Sequence, residues 1–328
     1  MQERELGNTG ITLPSLGFGC MGLSEFYGPP TEAKAAVRLL HEAIEHGVVH
    51  FDTAEMYGMG STNEQLLGTA LHDRREQVFI ATKVGPLRDS TTGAFIGVDG
   101  SRENCRRAIE GSLRRLRTDY VDLYYLHRVD TETPIETTVE AMAELVEAGM
   151  VRAIGLSEAS AETLKRASSV HPIAALQSEY SIFSRDIESE MIPACLETGT
   201  SLVAYSPLGR GLLSGRFSES SSAPEDYRAS TPRFQGEALA ANAALVAEID
   251  SIASELGVAT AQIALAWVLS RGEHIVTIPG TTKLEHLKSN VAAMALALAP
   301  AQVDRLNRLA DRVIGERYDA RGMASVNR

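Results

Sequence analysis

Only three of the 328 residues are cysteines, Cys20, Cys105 and Cys195, and no two form a Cys-x-x-Cys pair. A set this sparse and odd in number excludes a disulfide framework and predicts reduced thiols in a cytoplasmic setting. No apolar run approaches the roughly 20 residues that a membrane-spanning helix needs. The opening Met-Gln-Glu-Arg-Glu-Leu-Gly also has no apolar signal core. Positive charge is scarce: 31 Lys and Arg face 43 Asp and Glu, for a formal charge of −12. That balance argues against nucleic acid or an anionic membrane as the main partner. The basic stretch Arg106 to Arg117 lies on a helical pattern and reads as a solvated face. His-x-His and Gly-x-Ser-x-Gly are both missing, so no metal site is expected and a serine hydrolase lacks its nucleophile motif. No internal repeat or linker divides the chain, which reads as one domain over residues 1–328.

What is present is alternation. Short apolar runs recur at Leu16 to Phe18, His50 to Asp52, Val78 to Lys83 and Val121 to His127. Four more follow at Ala153 to Ser157, Ala174 to Gln177, Leu202 to Tyr205 and Ile275 to Pro279. Most are apolar on both faces, as strands of a buried parallel sheet are. Helical patterns lie between them. Thr31 is expected to cap the first and Gly47 to stop it; Ser61-Thr-Asn-Glu64 reads as a capping box. Thr133-Pro134-Ile-Glu136 reads as an N-cap followed by a proline at the first helical position, and Gly149 and Gly199 read as helix ends. Eight strand–helix units form right-handed crossovers and predict an α/β fold, a (β/α)8 TIM barrel.

Three segments break the rhythm. Residues 1–14 read as a β-hairpin about Gly7-Asn8-Thr9-Gly10. Residues 207–236, with the polar stretch Ser218 to Ser222, are too long for a passive connection and read as a lid or binding loop. Pro300 starts a C-terminal helix and a tail long enough to reach back over a barrel mouth.

Gly17-Phe-Gly19-Cys-Met-Gly22 fits the dinucleotide fingerprint G-x-G-x-x-G. That motif needs a helix opening at the glycines and an acid about 20 residues on. Here turn residues Ser24 to Pro30 follow, so the glycines are better explained by a loop passing close to a ligand.

Barrel chemistry sits where strands end at the C-terminal face. The second strand ends at Asp52, with Tyr57 five residues on; the third ends at Lys83 and the fourth at His127. A lysine closing an apolar strand is costly unless paired, and Asp52 on the adjacent strand can pair with it. A tyrosine ordinarily titrates near 10, and a nearby ammonium is expected to lower that value and ease proton donation. His127 is placed to orient the substrate oxygen or to share the proton. Taken singly these residues have structural uses: a rim ion pair, a loop anchor and a core histidine. Together, on three neighbouring strands, they form a proton-delivery device suited to carbonyl reduction.

Asp52-x4-Tyr57-Gly, Lys83 and Leu-His127 resemble the tetrad of the aldo-keto reductases. Gly19-Cys-Met-Gly22, Gly155-Leu-Ser157, Gln177, Tyr205-Ser-Pro-Leu-Gly-Arg-Gly211 and Ile278-Pro-Gly-Thr281…Asn290 resemble later signatures of the family. The likeness is greatest to the bacterial and plant branch that includes pyridoxal reductases and auxin-induced-type proteins. It implies NADPH-dependent reduction of a small-molecule carbonyl, with Tyr57 as general acid and Asp52, Lys83 and His127 completing the site.

The resemblance also implies cofactor contacts. Gly19, Cys20, Met21 and Asp52 would be among the residues that touch the cofactor. Tyr205 would lie against its ring, with Ser157 and Gln177 on its carboxamide. Ser206, Pro207, Leu208, Gly209 and Arg210 would run along the pyrophosphate, with Arg216, and less directly Arg233, on the phosphates. Gly280, Thr282, Lys283, His286 and Asn290 would surround the 2′-phosphate and adenine of NADPH/NADP+, at a helix N-terminus suited to anions. Two positions depart from the family: His286 stands where many members carry Arg or Gln, and Ser289 where an acid commonly precedes Asn290. Phe26, Tyr27, Met56, Tyr125, Phe183 and residues 212–235 are candidates for an apolar substrate pocket. Two rival functions remain at this stage: a regulatory subunit resembling potassium-channel β-subunits, and a metal-dependent barrel hydrolase using Asp52, His127 and Glu179. The choice between monomer and homo-oligomer stays open.

Overall fold

The structure, a computed structural model, describes residues 2–215 and 226–327. Eight parallel strands form its centre: β1 (Phe18–Gly19), β2 (His50–Asp52), β3 (Phe79–Val84), β4 (Val121–Leu126), β5 (Val151–Ser157), β6 (Ala175–Glu179), β7 (Ser201–Tyr205) and β8 (Ile275–Thr277). They neighbour one another in chain order. The sheet closes on itself where Leu16 bridges Thr277 in parallel. Gly17 N–H donates to the Thr277 carbonyl at 2.8 Å, and Thr277 N–H donates to that of Ser15 at 3.0 Å. A ring of this kind leaves no sheet edge to protect.

Helices α1 (Ala33–Glu45), α2 (Thr62–Leu71), α3 (Arg102–Leu116), α4 (Ile135–Glu147), α5 (Ala161–Val170) and α6 (Met191–Thr198) each follow a strand in turn. Two helices, α7 (Gly236–Leu256) and α8 (Thr260–Leu269), lie between β7 and β8, and α9 (Leu284–Ala292) follows β8. The strands Glu3–Glu5 and Thr12–Pro14 pair as the expected N-terminal hairpin. Its Arg4 reaches the carbonyls of Leu269 at 2.7 Å and Gly272 at 2.8 Å, and also that of Ile275. A second hairpin, Pro86–Arg88 with Phe95–Val98, was not anticipated from the sequence.

Side chains of alternate strand residues fill the barrel interior. Leu13, Phe79, Ala81, Leu123, Tyr125, Ala153, Ala175, Val203 and Val276 form one buried cluster inside the ring. The larger clusters lie outside, between strands and helices. The period of two decides where the site falls. Continuing Phe79–Ala81 by two reaches Lys83, and continuing Leu123–Tyr125 reaches His127. The same parity leads to Asp52, Ser157, Gln177 and Tyr205. Tyr125, expected in a substrate pocket, is fully buried in this interior packing instead.

Three helix starts differ from expectation. Glu32, not Thr31, caps α1, accepting from the N–H groups of Lys34 (3.0 Å) and Ala35 (2.9 Å). Ser61 sits at φ 59° with no side-chain cap bond. Its partner in the expected box, Glu64, is buried and accepts from Thr82 Oγ1 and Arg115 Nε, both at 2.6 Å. Pro134 occupies the N-cap of α4 rather than its first turn, and Thr133 donates to Asp130 at 2.8 Å. Gly199 ends α6 in the left-handed conformation (φ 66°), as expected.

Candidate active site

The ends of β2, β3 and β4 bring Asp52, Tyr57, Lys83 and His127 together. Lys83 Nζ donates to Asp52 Oδ1, to the Thr53 carbonyl at 2.8 Å and to Tyr57 Oη at 3.4 Å. The ammonium and carboxylate are both buried, an arrangement that persists only when each offsets the other's desolvation. Gln177 Nε2 donates to the second Asp52 oxygen at 2.8 Å, so this carboxylate is held from both sides. The Tyr57 ring stands edge-on to His127, with centroids 5.6 Å apart and planes at 86°. Phe26 packs edge-on to Tyr57 at 6.3 Å.

Titration in this cluster is governed by burial. For Lys83, burial favours the neutral amine, but the Asp52 carboxylate and then Tyr57 outweigh it, and the ammonium is held above its ordinary range. Tyr57 departs from the sequence expectation. Burial raises its phenol by more than the Lys83 charge lowers it, so the net direction is upward. The reason is that Lys83 is itself neutralised by Asp52, while the phenol is only 8% exposed. Tyr57 is therefore a protonated donor at neutral pH. Burial, then the Lys83 and Arg128 charges, push His127 well below the usual imidazole range. His127 is neutral, and its Nδ1 is buried without a protein partner, free to engage a ligand atom.

The glycine motif is a matter of chain packing. A Cβ on Gly19 would lie 2.6 Å from the Ile278 carbonyl oxygen, and one on Gly280 would lie 2.7 Å from that of Gly19. The glycines at 19 and 280 let β1 and the segment after β8 touch, a packing role that the sequence reading did not include. A three-residue turn, Met21–Leu23, follows them rather than a long helix. Cys20 is buried in the core, and its N–H donates to the Asp52 carbonyl at 2.9 Å.

Strand order places the other candidates. Gly19 to Met21, Ser206 to Arg210 and Gly280 to Asn290 follow β1, β7 and β8, which are contiguous in the ring, and the tetrad follows β2 to β4. Ser206, Gly209 and Arg210 all have left-handed backbone, at φ 48°, 54° and 56°. The N–H groups of Gly209 and Gly211 bond to the carbonyls of Ser206 (2.8 Å) and Leu208 (3.0 Å), closing a tight turn around Pro207. Lys283 is the N-cap of α9; Thr282 and Lys283 are exposed, and His286 lies 3.5 Å from Glu285. Asn290 is 4% exposed and makes no side-chain hydrogen bond among the described residues, a donor set that a polar ligand would complete. Arg216 lies outside the described residues, as does Ser218 to Ser222.

Several residues at the mouth were not singled out from the sequence. Glu158, just after β5, is held by Arg317 of the C-terminal tail at 2.7 Å. It also accepts from Tyr205 Oη at 2.8 Å, and that phenol lies 2.5 Å from Tyr318 Oη. Burial raises the Glu158 carboxyl, but the Arg317 hydrogen bonds and charge outweigh it and hold it at about 2. Arg210 turns into the mouth, donating to Glu179 at 2.9 Å and Tyr27 at 3.2 Å. Arg233 donates to Ser184 at 2.7 Å and stands 3.9 Å from Glu179. Together these side chains leave a cavity of only about 10 Å³, lined by Glu179, Phe183 and Arg317 among others; that is room for roughly one water. Arg128 and Glu158 were visible in principle, each one residue past a strand-end candidate. The tail gave no local signal.

A model of the aldo/keto reductase family matches residues 15–311. The probable aldo-keto reductase 1 of Glycine max is 43% identical over 300 residues, covering 91% of this chain and 86% of that protein. A thermostable aldo-keto reductase solved with the inhibitor epalrestat is 35% identical, with a TM-score of 0.77, covering 94% of this chain and all of that one (100%). The glycerol dehydrogenase of Gluconobacter oxydans superposes with a TM-score of 0.86 at 26% identity, over 97% and 98% of the two chains. The holo form of a Bacillus halodurans aldo-keto reductase gives 0.75 at 31% identity, over 96% and 98%.

Proposed function

The chain belongs to the aldo/keto reductase family, and from that premise we propose that it reduces aldehydes and ketones to alcohols with NADPH, Tyr57 delivering the proton. The bound cofactor supplies a hydride to the carbonyl carbon. The protein's own part is to hold the carbonyl oxygen and protonate it. Neutral His127 offers a ring nitrogen to that oxygen, and Tyr57 gives up its phenolic proton as negative charge develops. The phenolate left behind is stabilised by Lys83, which Asp52 keeps charged and in place. The observation that carries this reading is the Lys83 ammonium bonded to both Asp52 and Tyr57.

Ser157, Gln177 and Tyr205 would hold the nicotinamide, Ser206 to Arg210 the pyrophosphate, and Thr282, Lys283, His286 and Asn290 the 2′-phosphate end. The donor set fits such a molecule: strand-end amide and hydroxyl groups, a tight glycine turn and an unshared Asn290. The whole chain is proposed to act as one barrel domain on a small carbonyl substrate. Its three separate buried cysteines suit a reducing, cytoplasmic compartment. The metal-hydrolase reading finds no support, because Asp52 is bound to Lys83 and Glu179 to Arg210.

Tyr57→Phe tests the proposal. NADPH oxidation with an aldehyde panel should fall by about 10²–10⁴ in kcat, while NADPH affinity, read by fluorescence titration, stays within a factor of two or so. A variant that retains wild-type turnover would remove Tyr57 as the acid. Absence of turnover in the wild type despite tight NADPH binding would favour a regulatory subunit.

A further inference from the structure

Four guanidinium groups converge on the barrel mouth, and one differs from the rest. Arg210 is paired with Glu179 at 2.9 Å, Arg233 stands 3.9 Å from Glu179, and Arg317 is paired with Glu158 at 2.7 Å and Asp186 at 3.6 Å. Arg128 has no carboxylate within 4.0 Å among the described residues. Its Nη1 donates to the carbonyl of the adjacent His127 at 2.7 Å, and its Nη2 reaches Tyr318 Oη only at 3.4 Å, the long limit of a hydrogen bond. A guanidinium carries five N–H donors in a planar fork shaped for a carboxylate. Glu158, already in contact with Arg317, acts on that charge only from beyond 4.0 Å, and a half-buried guanidinium with no carboxylate in contact marks a place that a ligand completes.

Position narrows the ligand. Arg128 follows His127 directly, and the His127 ring packs against the proposed acid Tyr57. In the ring of eight strands β4 lies four places from β8, so Arg128 faces the mouth from the side opposite residues 280–290. The 2′-phosphate proposed for that segment is therefore out of its reach. Lys83, Arg210, Arg233 and Arg317 already share Asp52, Glu158, Glu179 and Asp186, which leaves Arg128 as the excess positive charge in a chain of formal charge −12.

We propose that Arg128 is the receptor for a carboxylate on the substrate, so that the preferred substrates are carbonyl compounds carrying a negative group near the reacting carbon. This rests on the reductase reading above. The Tyr318 phenol occupies the place that a carboxylate oxygen takes on binding, and its own contact with Tyr205 Oη gives it another partner when displaced.

The test uses a matched pair of aldehydes, 3-formylbenzoate and its uncharged methyl ester, with NADPH and the full chain. In the wild type the anion should exceed the ester in kcat/KM by about 10- to 100-fold, the worth of a charge-assisted hydrogen-bonded pair. Arg128→Gln should bring the two towards parity, mostly through KM for the anion. Arg128→Lys should restore part of the difference, and should do so even if the Gln variant folds poorly. Added salt should reduce the wild-type ratio. A wild type that reduces both probes equally, or an Arg128→Gln variant that lowers both by the same factor, overturns the receptor and leaves the reductase intact. No turnover of either probe would instead strike the reductase reading, and the receptor with it.

Discussion

The mouth of the barrel has a floor and a roof, built from similar pieces. The floor pairs Lys83 with Asp52; the roof pairs Arg317 with Glu158 and Arg210 with Glu179. All three ion pairs are buried. The difference lies in the chain that carries them. Both partners of the floor pair stand on neighbouring strands of a closed ring, where neither can retreat without breaking the sheet. In each roof pair one partner stands by a strand end, but the other comes from a turn after β7 or from the C-terminal tail. Burial and short distance thus do not separate a reaction centre from its cover. The attachment of each residue does. In each roof pair one partner is carried by a turn or by the tail, so the roof is the part expected to move.

The comparison is broken most directly at Lys83. Lys83→Met leaves a buried carboxylate without its ammonium and should cost about 3–5 kcal/mol of stability, besides most of the activity; denaturant midpoints read the first and NADPH oxidation the second. A loss below about 1 kcal/mol, the range of an exposed pair, would show that the floor is not rigid.

His50, also in the floor, sets a pH limit. Burial, ahead of the surrounding charges, lowers its imidazole to about 4, and both ring nitrogens are buried without partners. The folded state holds it neutral while the unfolded chain protonates near 6.5. Its contribution is complete above that value and is lost as pH falls towards 4. Between pH 7 and pH 5 the wild type should lose about 2 kcal/mol through this group, and His50→Leu should remove that part of the slope. An unchanged slope would assign the acid sensitivity elsewhere.

In the roof, Arg317→Gln should cost less, about 1–2 kcal/mol, because a tail can undock locally and so caps the global loss. The Glu158 carboxyl, held at about 2, makes the roof pair fully stabilising above pH near 4.5 and progressively weaker below it. Stopped-flow NADPH binding should be faster in this variant if the tail is a cover, and unchanged if it is mere packing. The smallest effect is expected at His286. His286→Ala should weaken NADPH by about 5-fold, the scale of one exposed charge contact, and leave NADH unaffected. Equal weakening of both would place His286 away from the 2′-phosphate.

Strands and floor were legible in the sequence for one reason. Inward-facing residues repeat every second position, and Asp52, Lys83 and His127 end those series. The roof was not legible, because Arg317 meets Glu158 across 159 residues and no local pattern announces it. Only the tail's length suggested that it reached the mouth. The capping box at Ser61 failed for a related cause: Glu64 is claimed by Thr82 and Arg115, tertiary partners that override a local motif. The direction of the Tyr57 shift was misjudged because a charge beside a phenol can be read from spacing, whereas the depth of its burial cannot.

The seam between β1 and β8 has a consequence for how the chain is born. Leu16 cannot find Thr277, nor Arg4 the carbonyls of Leu269, Gly272 and Ile275, until almost the whole polypeptide exists. During synthesis the first strands therefore wait beside an open sheet edge while six more emerge. Such a nascent chain is long-lived and adhesive, and the ring is completed only by its last strand. A ribosome that stalled before residue 275 would release a protein with its floor already laid and its wall still open.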